Sequence, residues 1–131
     1  MKTYITVEEL YFKWRSEEVV EIPILADVVY YLKRNPGIKG KELAKKLEVN
    51  RSYLSHSIEL LTGSNLATLL LDWRLLHAKY LLSETNDSYD TIAKRCGFSG
   101  NHTLSRFLDR HIGCTAFEYR LGYSNGHRGA V

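Results

Sequence analysis

The chain has 131 residues, a formal net charge of +3, 44% hydrophobic and 25% charged residues, a balance that suits one folded globular protein and excludes wholesale disorder. No apolar run approaches the roughly 20 residues of a membrane-spanning helix, and the polar N-terminus lacks a signal-peptide core, so no membrane partner is expected and the cytoplasm is the expected compartment. The two cysteines, Cys96 and Cys114, have no metal-ligand spacing and are too few for a disulfide framework, so both are expected as reduced, core-facing thiols.

In chain order, Thr6 and Glu9 have capping-box spacing, and Val7, Leu10, Tyr11 and Trp14 recur at helical intervals, which predicts a first helix over 7–18. Pro23 suits the start of the next, whose stripe is Leu25, Val28, Val29 and Leu32, and Asn35, Pro36 and Gly37 end it. Lys41 to Leu47 forms a short helix with Leu43, Ala44 and Leu47 inward. Glu48 and Val49 turn, Asn50 caps a helix from Arg51 to Leu61, and Thr62 and Gly63 terminate it. Asn65 caps the longest helix, reaching about Leu82, and Arg74 on it, among apolar neighbours, is expected to be structural and paired with an acid. Ser88 caps a second short helix with Ile92, Ala93 and Cys96 buried. Gly97 breaks it, Phe98 fills the turn, Ser99 caps a helix to about His111, and Thr115 and Glu118 open a final one ending near Leu121. The remainder is polar and glycine-rich, as a frayed tail would be.

The second half of this order repeats the first. Glu42 to Asn50 matches Thr91 to Ser99 at a constant offset of 49, pairing Leu43 with Ile92, Ala44 with Ala93 and Lys45 with Lys94. The offset then becomes 50, pairing Leu54 with Leu104, Ser55 with Ser105 and Gly63 with Gly113, so one residue is inserted at the turn into the second long helix. Each copy has a short helix, a tight turn and a longer helix with polar residues outward, which is helix-turn-helix grammar. Small Ala44 and Ala93 sit where the helices cross, with Val49 and Phe98 anchoring the turns from within. Each copy also carries a basic flank, Lys33 to Arg51 in the first and Lys94 onward in the second, as two nucleic-acid contacts require; solvated helix faces would give the same charge pattern.

From about Ile24 to Arg120 the chain resembles the tandem helix-turn-helix DNA-binding domain of the AraC/XylS family of bacterial transcription regulators. The residues that carry the likeness are ELAKKLEVNRSYLS, the pair Thr62 and Gly63, DWRLLHAKYLL, TIAKRCGFS with Gly97 and Phe98, and the FEYR ending at Arg120. The resemblance implies an all-α, homeodomain-like fold divided into a short extension over 1–22, a first helix-turn-helix subdomain over 23–64, a linker helix over 65–83, a second subdomain over 84–121, and a tail over 122–131. It also implies a regulator, an activator rather than a repressor, that places one recognition helix of each copy in successive major grooves. About 18 residues of linker helix span roughly 27 Å, which two small domains extend to the ~34 Å between such grooves.

The residues at the start and on the outward face of each recognition helix are candidates to read bases: Arg51, Ser52, Ser55 and His56 in the first, and Asn101, His102, Thr103 and Arg106 in the second. Arg106 ranks first because a guanidinium bonds guanine O6 and N7 together, the alternative being a phosphate-facing arginine. Asn101 either pairs with adenine in the same two-bonded way or helps to cap its helix. Phosphate contacts are expected from Lys41, Lys45, Thr62, Ser64, Arg95, Ser99 and Arg110.

The pattern departs from the family at Glu59 and Asp109, where lysines are usual, and at Ala116, where proline is usual, and Leu60 and Leu61 are apolar for an exposed helix end. These departures suit an alternative, a helical protein–protein interaction module that antagonises related regulators. No nucleophile arrangement, phosphate loop or metal-ligand set is present in the sequence, so neither an enzyme, a metal nor a cofactor is expected. The expected partners are double-stranded DNA, bound by a monomer, and RNA polymerase. Residues 1–22 are too few for a sensor domain, so the chain is expected to be either a short stand-alone regulator or the C-terminal piece of a longer one.

Overall fold

The computed structural model describes residues 4–122, so most of the expected tail lies outside the described residues. These residues form eight helices and no strand: α1 (Val7–Arg15), α2 (Pro23–Arg34), α3 (Gly40–Lys46), α4 (Arg51–Thr62), α5 (Leu66–Glu84), α6 (Tyr89–Arg95), α7 (Asn101–Ile112) and α8 (Ala116–Arg120). The chain divides into two compact units between Leu76 and His77, so α5 belongs partly to each.

In the first unit the apolar stripes converge on a core that includes Leu10, Leu25, Leu32, Leu43, Leu54, Ile58, Leu66, Leu69 and Trp73, all sealed from solvent. At roughly 1.5–3 kcal/mol per buried large apolar side chain, this burial is the main force holding the short helices together. The N-terminal extension is part of this core. Thr6 caps α1 by accepting from the Glu9 amide, and α1 buries Val7, Leu10 and Tyr11. Tyr11 meets Trp73 edge-on at 5.1 Å, and Trp14 lies 5.6 Å from the same indole. Before α1, the amides of Tyr4 and Ile5 both donate to the Leu61 carbonyl near the end of α4, which ties the extension to that helix. Helix α1 stops at Arg15 rather than at residue 18, because Ser16 caps it and Glu17 takes a left-handed φ of 58°.

In the second unit Ala78, Leu81, Leu82, Ile92, Ala93, Cys96, Leu104, Leu108, Cys114 and Ala116 are buried. Both cysteines are free thiols inside this core. Phe98 is buried and stacks 4.9 Å from Phe107, whereas its counterpart Val49 is only half-buried.

The repeat recurs in the turns and at the ends of the long helices. After each short helix an amide reaches back to the paired alanine, Val49 to the Ala44 carbonyl and Phe98 to the Ala93 carbonyl. The residue before it is left-handed in both, Glu48 at φ 57° and Gly97 at φ 85°. Gly63 and Gly113 both end their long helices in the left-handed conformation. Asn65 then accepts from the Thr68 amide as Thr115 accepts from the Glu118 amide, with a complete capping box in the second case.

A candidate nucleic-acid interface

A helix in a helix-turn-helix unit can enter a groove only if one face is held by the core and the other left open. Helix α4 buries Leu54, Ile58 and Thr62 and leaves Arg51, Ser52, Tyr53 and His56 exposed. Helix α7 buries Leu104, Leu108 and Ile112 and leaves His102, Thr103, Arg106 and Arg110 exposed. Thr103, Arg106 and Arg110 follow at intervals of three and four, so they line one face over about 10 Å. Lys41 and Lys45 are exposed on α3.

The structure alters the expected roles of several candidates. Ser55 is half-buried and its hydroxyl accepts from the Leu66 amide at 3.2 Å. Ser105, at the equivalent position, accepts from the Ala116 amide at 3.3 Å. Each recognition helix therefore uses this serine to hold the first turn of the helix that follows, because its position faces that helix and not the open side. Ser55 thus braces the start of α5. Thr62 is only 4% exposed, and its hydroxyl donates to the Ile58 and Ser64 carbonyls and accepts from the Ser64 amide, so it closes the end of α4. Ser64 is half-buried beside it.

Ser99 does not cap α7. The inserted Gly100 takes the cap position with no side-chain bond, and Ser99 instead pairs its hydroxyl with that of Thr103 at 2.8 Å. The first amide of α7, that of Asn101, donates to Asp90 Oδ1 at 2.9 Å. The Asn101 side-chain oxygen accepts from the Ser105 hydroxyl at 3.2 Å, which ties the side chain to its own helix and leaves its second lone pair and its NH2 group for other partners. Arg95 is held by Asp87 in an ion pair of 2.8 Å.

Arg51 is placed by a glycine. An added Cβ on Gly40 would lie 3.0 Å from Arg51 Nε and 3.2 Å from its Nη2. The guanidinium thus rests close over the first turn of α3, and a side chain at position 40 would press on it and on Leu66 Cδ2, also 3.0 Å away. Tyr53, 60% exposed in the first turn of α4, belongs with the candidate readers although its aromatic character did not mark it. The signal was present in the repeat: at an offset of 50, Tyr53 pairs with Thr103.

Helix-turn-helix pairs also occur in structural bundles, so comparison with known proteins decides what this one is. A family profile described as a helix-turn-helix domain matches residues 43–122. The chain belongs to that family, the AraC-type DNA-binding regulators. One relative, the uncharacterised HTH-type transcriptional regulator YdiP of Escherichia coli K12, is 26% identical over 116 residues, covering 86% of this chain and 38% of its own. The transcriptional activator RhaR of Enterobacter sp. strain 638 is 27% identical, covering 90% of this chain and 51% of its own. The chain therefore spans well under two thirds of either relative. Among solved structures, the DNA-binding domain of the global transcriptional factor AdpA, in complex with a target DNA, aligns with a TM-score of 0.65 and 28% identity, covering 77% of this chain and 92% of that one. No helix among the described residues is long and apolar enough to cross a membrane.

Proposed function

We propose that this chain reads an asymmetric double-stranded DNA site as a monomer, with α4 and α7 each entering a major groove and the two grooves successive along one face. The observation that carries this reading is the repeated arrangement of α4 and α7: inward face buried, C-terminal end closed by glycine, and first turn open and polar. The 19 residues of α5 amount to about 28 Å of helix, comparable with the groove repeat of ~34 Å. Arg51, Ser52, Tyr53 and His56 read the first block, and His102, Thr103 and Arg106 the second, with Asn101 able to join them. Lys41, Lys45, Ser64, Arg95, Ser99 and Arg110 serve the phosphates, which fix register without reading sequence. RhaR's name as an activator supports activation, through contact with RNA polymerase, as the mode of regulation. The work is done in the cytoplasm.

Selection from a random duplex pool tests this. Two preferred blocks about one helical turn apart are expected, and Arg106→Ala should lose about 1–3 kcal/mol, roughly 5- to 150-fold, at one position of the second block. If no sequence is enriched and wild type and Arg106→Ala bind equally poorly, the reading fails. In that case the exposed Leu60, Glu59 and Asp109 of the two recognition helices point instead to a protein-binding module.

A further inference from the structure

The two recognition helices begin differently, and the difference has a chemical cause. Helix α4 is capped from within: Asn50 Oδ1 accepts from the amides of Ser52 and Tyr53 at 2.8 and 3.3 Å. Helix α7 cannot be, because the inserted residue puts Gly100 at its cap position, in extended backbone with φ 179°, and moves Ser99 out of reach. The missing acceptor comes from another helix. Asp90, exposed in the first turn of α6, places Oδ1 2.9 Å from the Asn101 amide. The equivalent position in the first copy, at an offset of 49, is Lys41, which carries the opposite charge.

We infer that Asp90 is a positioning residue for sequence discrimination by the second unit: it fixes the first turn of α7, and with it the direction in which His102, Thr103 and Arg106 project. A first turn without an acceptor frays, because its leading amides have no partner within the helix. Base contacts made from that turn tolerate little displacement, since two-bonded recognition depends on the angle of the side chain as well as its reach. A carboxylate borrowed from α6 also ties the turn of this helix-turn-helix pair shut, which a local cap such as Asn50 does not do. This inference rests on α7 being a reading helix, as proposed above.

The test measures discrimination separately for the two blocks of the selected duplex, as the ratio of affinities for the preferred block and a scrambled one, in the full chain. Four proteins are compared: wild type, Asp90→Ala, Asp90→Asn, and Asp90→Ala with Gly100→Asn. Asp90→Ala should lose at least fivefold in discrimination at the second block and stay within twofold at the first. Asp90→Asn keeps an oxygen acceptor and should stay within twofold at both. The double variant should recover the second block, because an added Cβ at Gly100 meets only Asp90 Oδ1, at 3.5 Å, which the alanine removes. Far-UV circular dichroism verifies that each variant is folded, and Asp90→Asn with the double variant keep the test decisive where Asp90→Ala is not. The inference is overturned if folded Asp90→Ala discriminates as wild type does, if Asp90→Asn loses the second block, or if the folded double variant fails to recover it. If wild type itself discriminates at neither block, it is the DNA-reading proposal that fails.

Discussion

Arg120 closes the end of α5, and its removal can be reasoned to a number. Its Nε donates to the Leu82 carbonyl and a terminal nitrogen to the Thr85 carbonyl, both at 3.2 Å, while its Cζ lies 4.9 Å above the Tyr89 ring. These carbonyls belong to the last turn of a helix and to the residue just beyond it, where intrahelical partners run out. A hydrogen bond from a charged donor is worth about 1.5–3 kcal/mol, a cation at a helix C-terminus about 0.3–1, and an exposed cation–π contact about 0.5–1. The contributions overlap and the side chain is only half-buried, so Arg120→Ala should cost about 2–4 kcal/mol. For a small domain that is on the order of 10–20 °C in melting temperature. Arg120→Lys keeps the charge but not the fork, and should lose about half as much. Urea unfolding followed by far-UV circular dichroism measures this. Both tryptophans, Trp14 and Trp73, lie in the first unit, so tryptophan fluorescence reports on the unit that was not altered. Below the melting range, DNA affinity should stay within about threefold, because each ~1.4 kcal/mol of lost contact would be tenfold. The reasoning is refuted if Arg120→Ala unfolds within 0.5 kcal/mol of wild type, or if it stays as stable while losing more than tenfold in DNA affinity, which would make Arg120 a DNA contact.

Glu48 occupies a left-handed turn that the second copy gives to Gly97; relieving its Cβ should make Glu48→Gly up to about 1 kcal/mol more stable, and Gly97→Glu should lose a comparable amount, both measured by chemical denaturation. Ser55→Ala should cost about 0.5–1.5 kcal/mol, the worth of one hydrogen bond, while leaving the selected DNA sequence unchanged; a shifted base preference would return Ser55 to the readers. Leu10 is fully sealed in the first core, so Leu10→Ala should cost about 2–5 kcal/mol, and a near-neutral result would show that the N-terminal extension is an accessory to the fold.

Much of this protein was legible because it is local. Helical spacing of apolar residues, the caps Thr6, Asn50, Asn65, Ser88 and Thr115, and the terminal glycines 63 and 113 act within one turn, so they can be read from neighbours in sequence. The internal repeat added the pairing of the two halves and, with the Gly97–Phe98 and FEYR motifs, the family. The sequence did not show which polar residues are consumed by the fold. Asn101 is held by a residue 11 positions away, and Ser55 braces an amide at the same separation. Arg120 closes a helix end 35 to 38 positions behind it. Such bonds depend on how helices cross, and crossing is set by the packing of buried side chains such as Ala93, Leu104 and Cys114, not by any single segment. The same packing turns Ser55 and Thr62 inward and leaves Tyr53 in the open. Periodicity determined an all-helical chain and the repeat with its motifs a tandem helix-turn-helix of this family, whereas tertiary packing decided which polar side chains are bonded within the fold and which stand open to solvent.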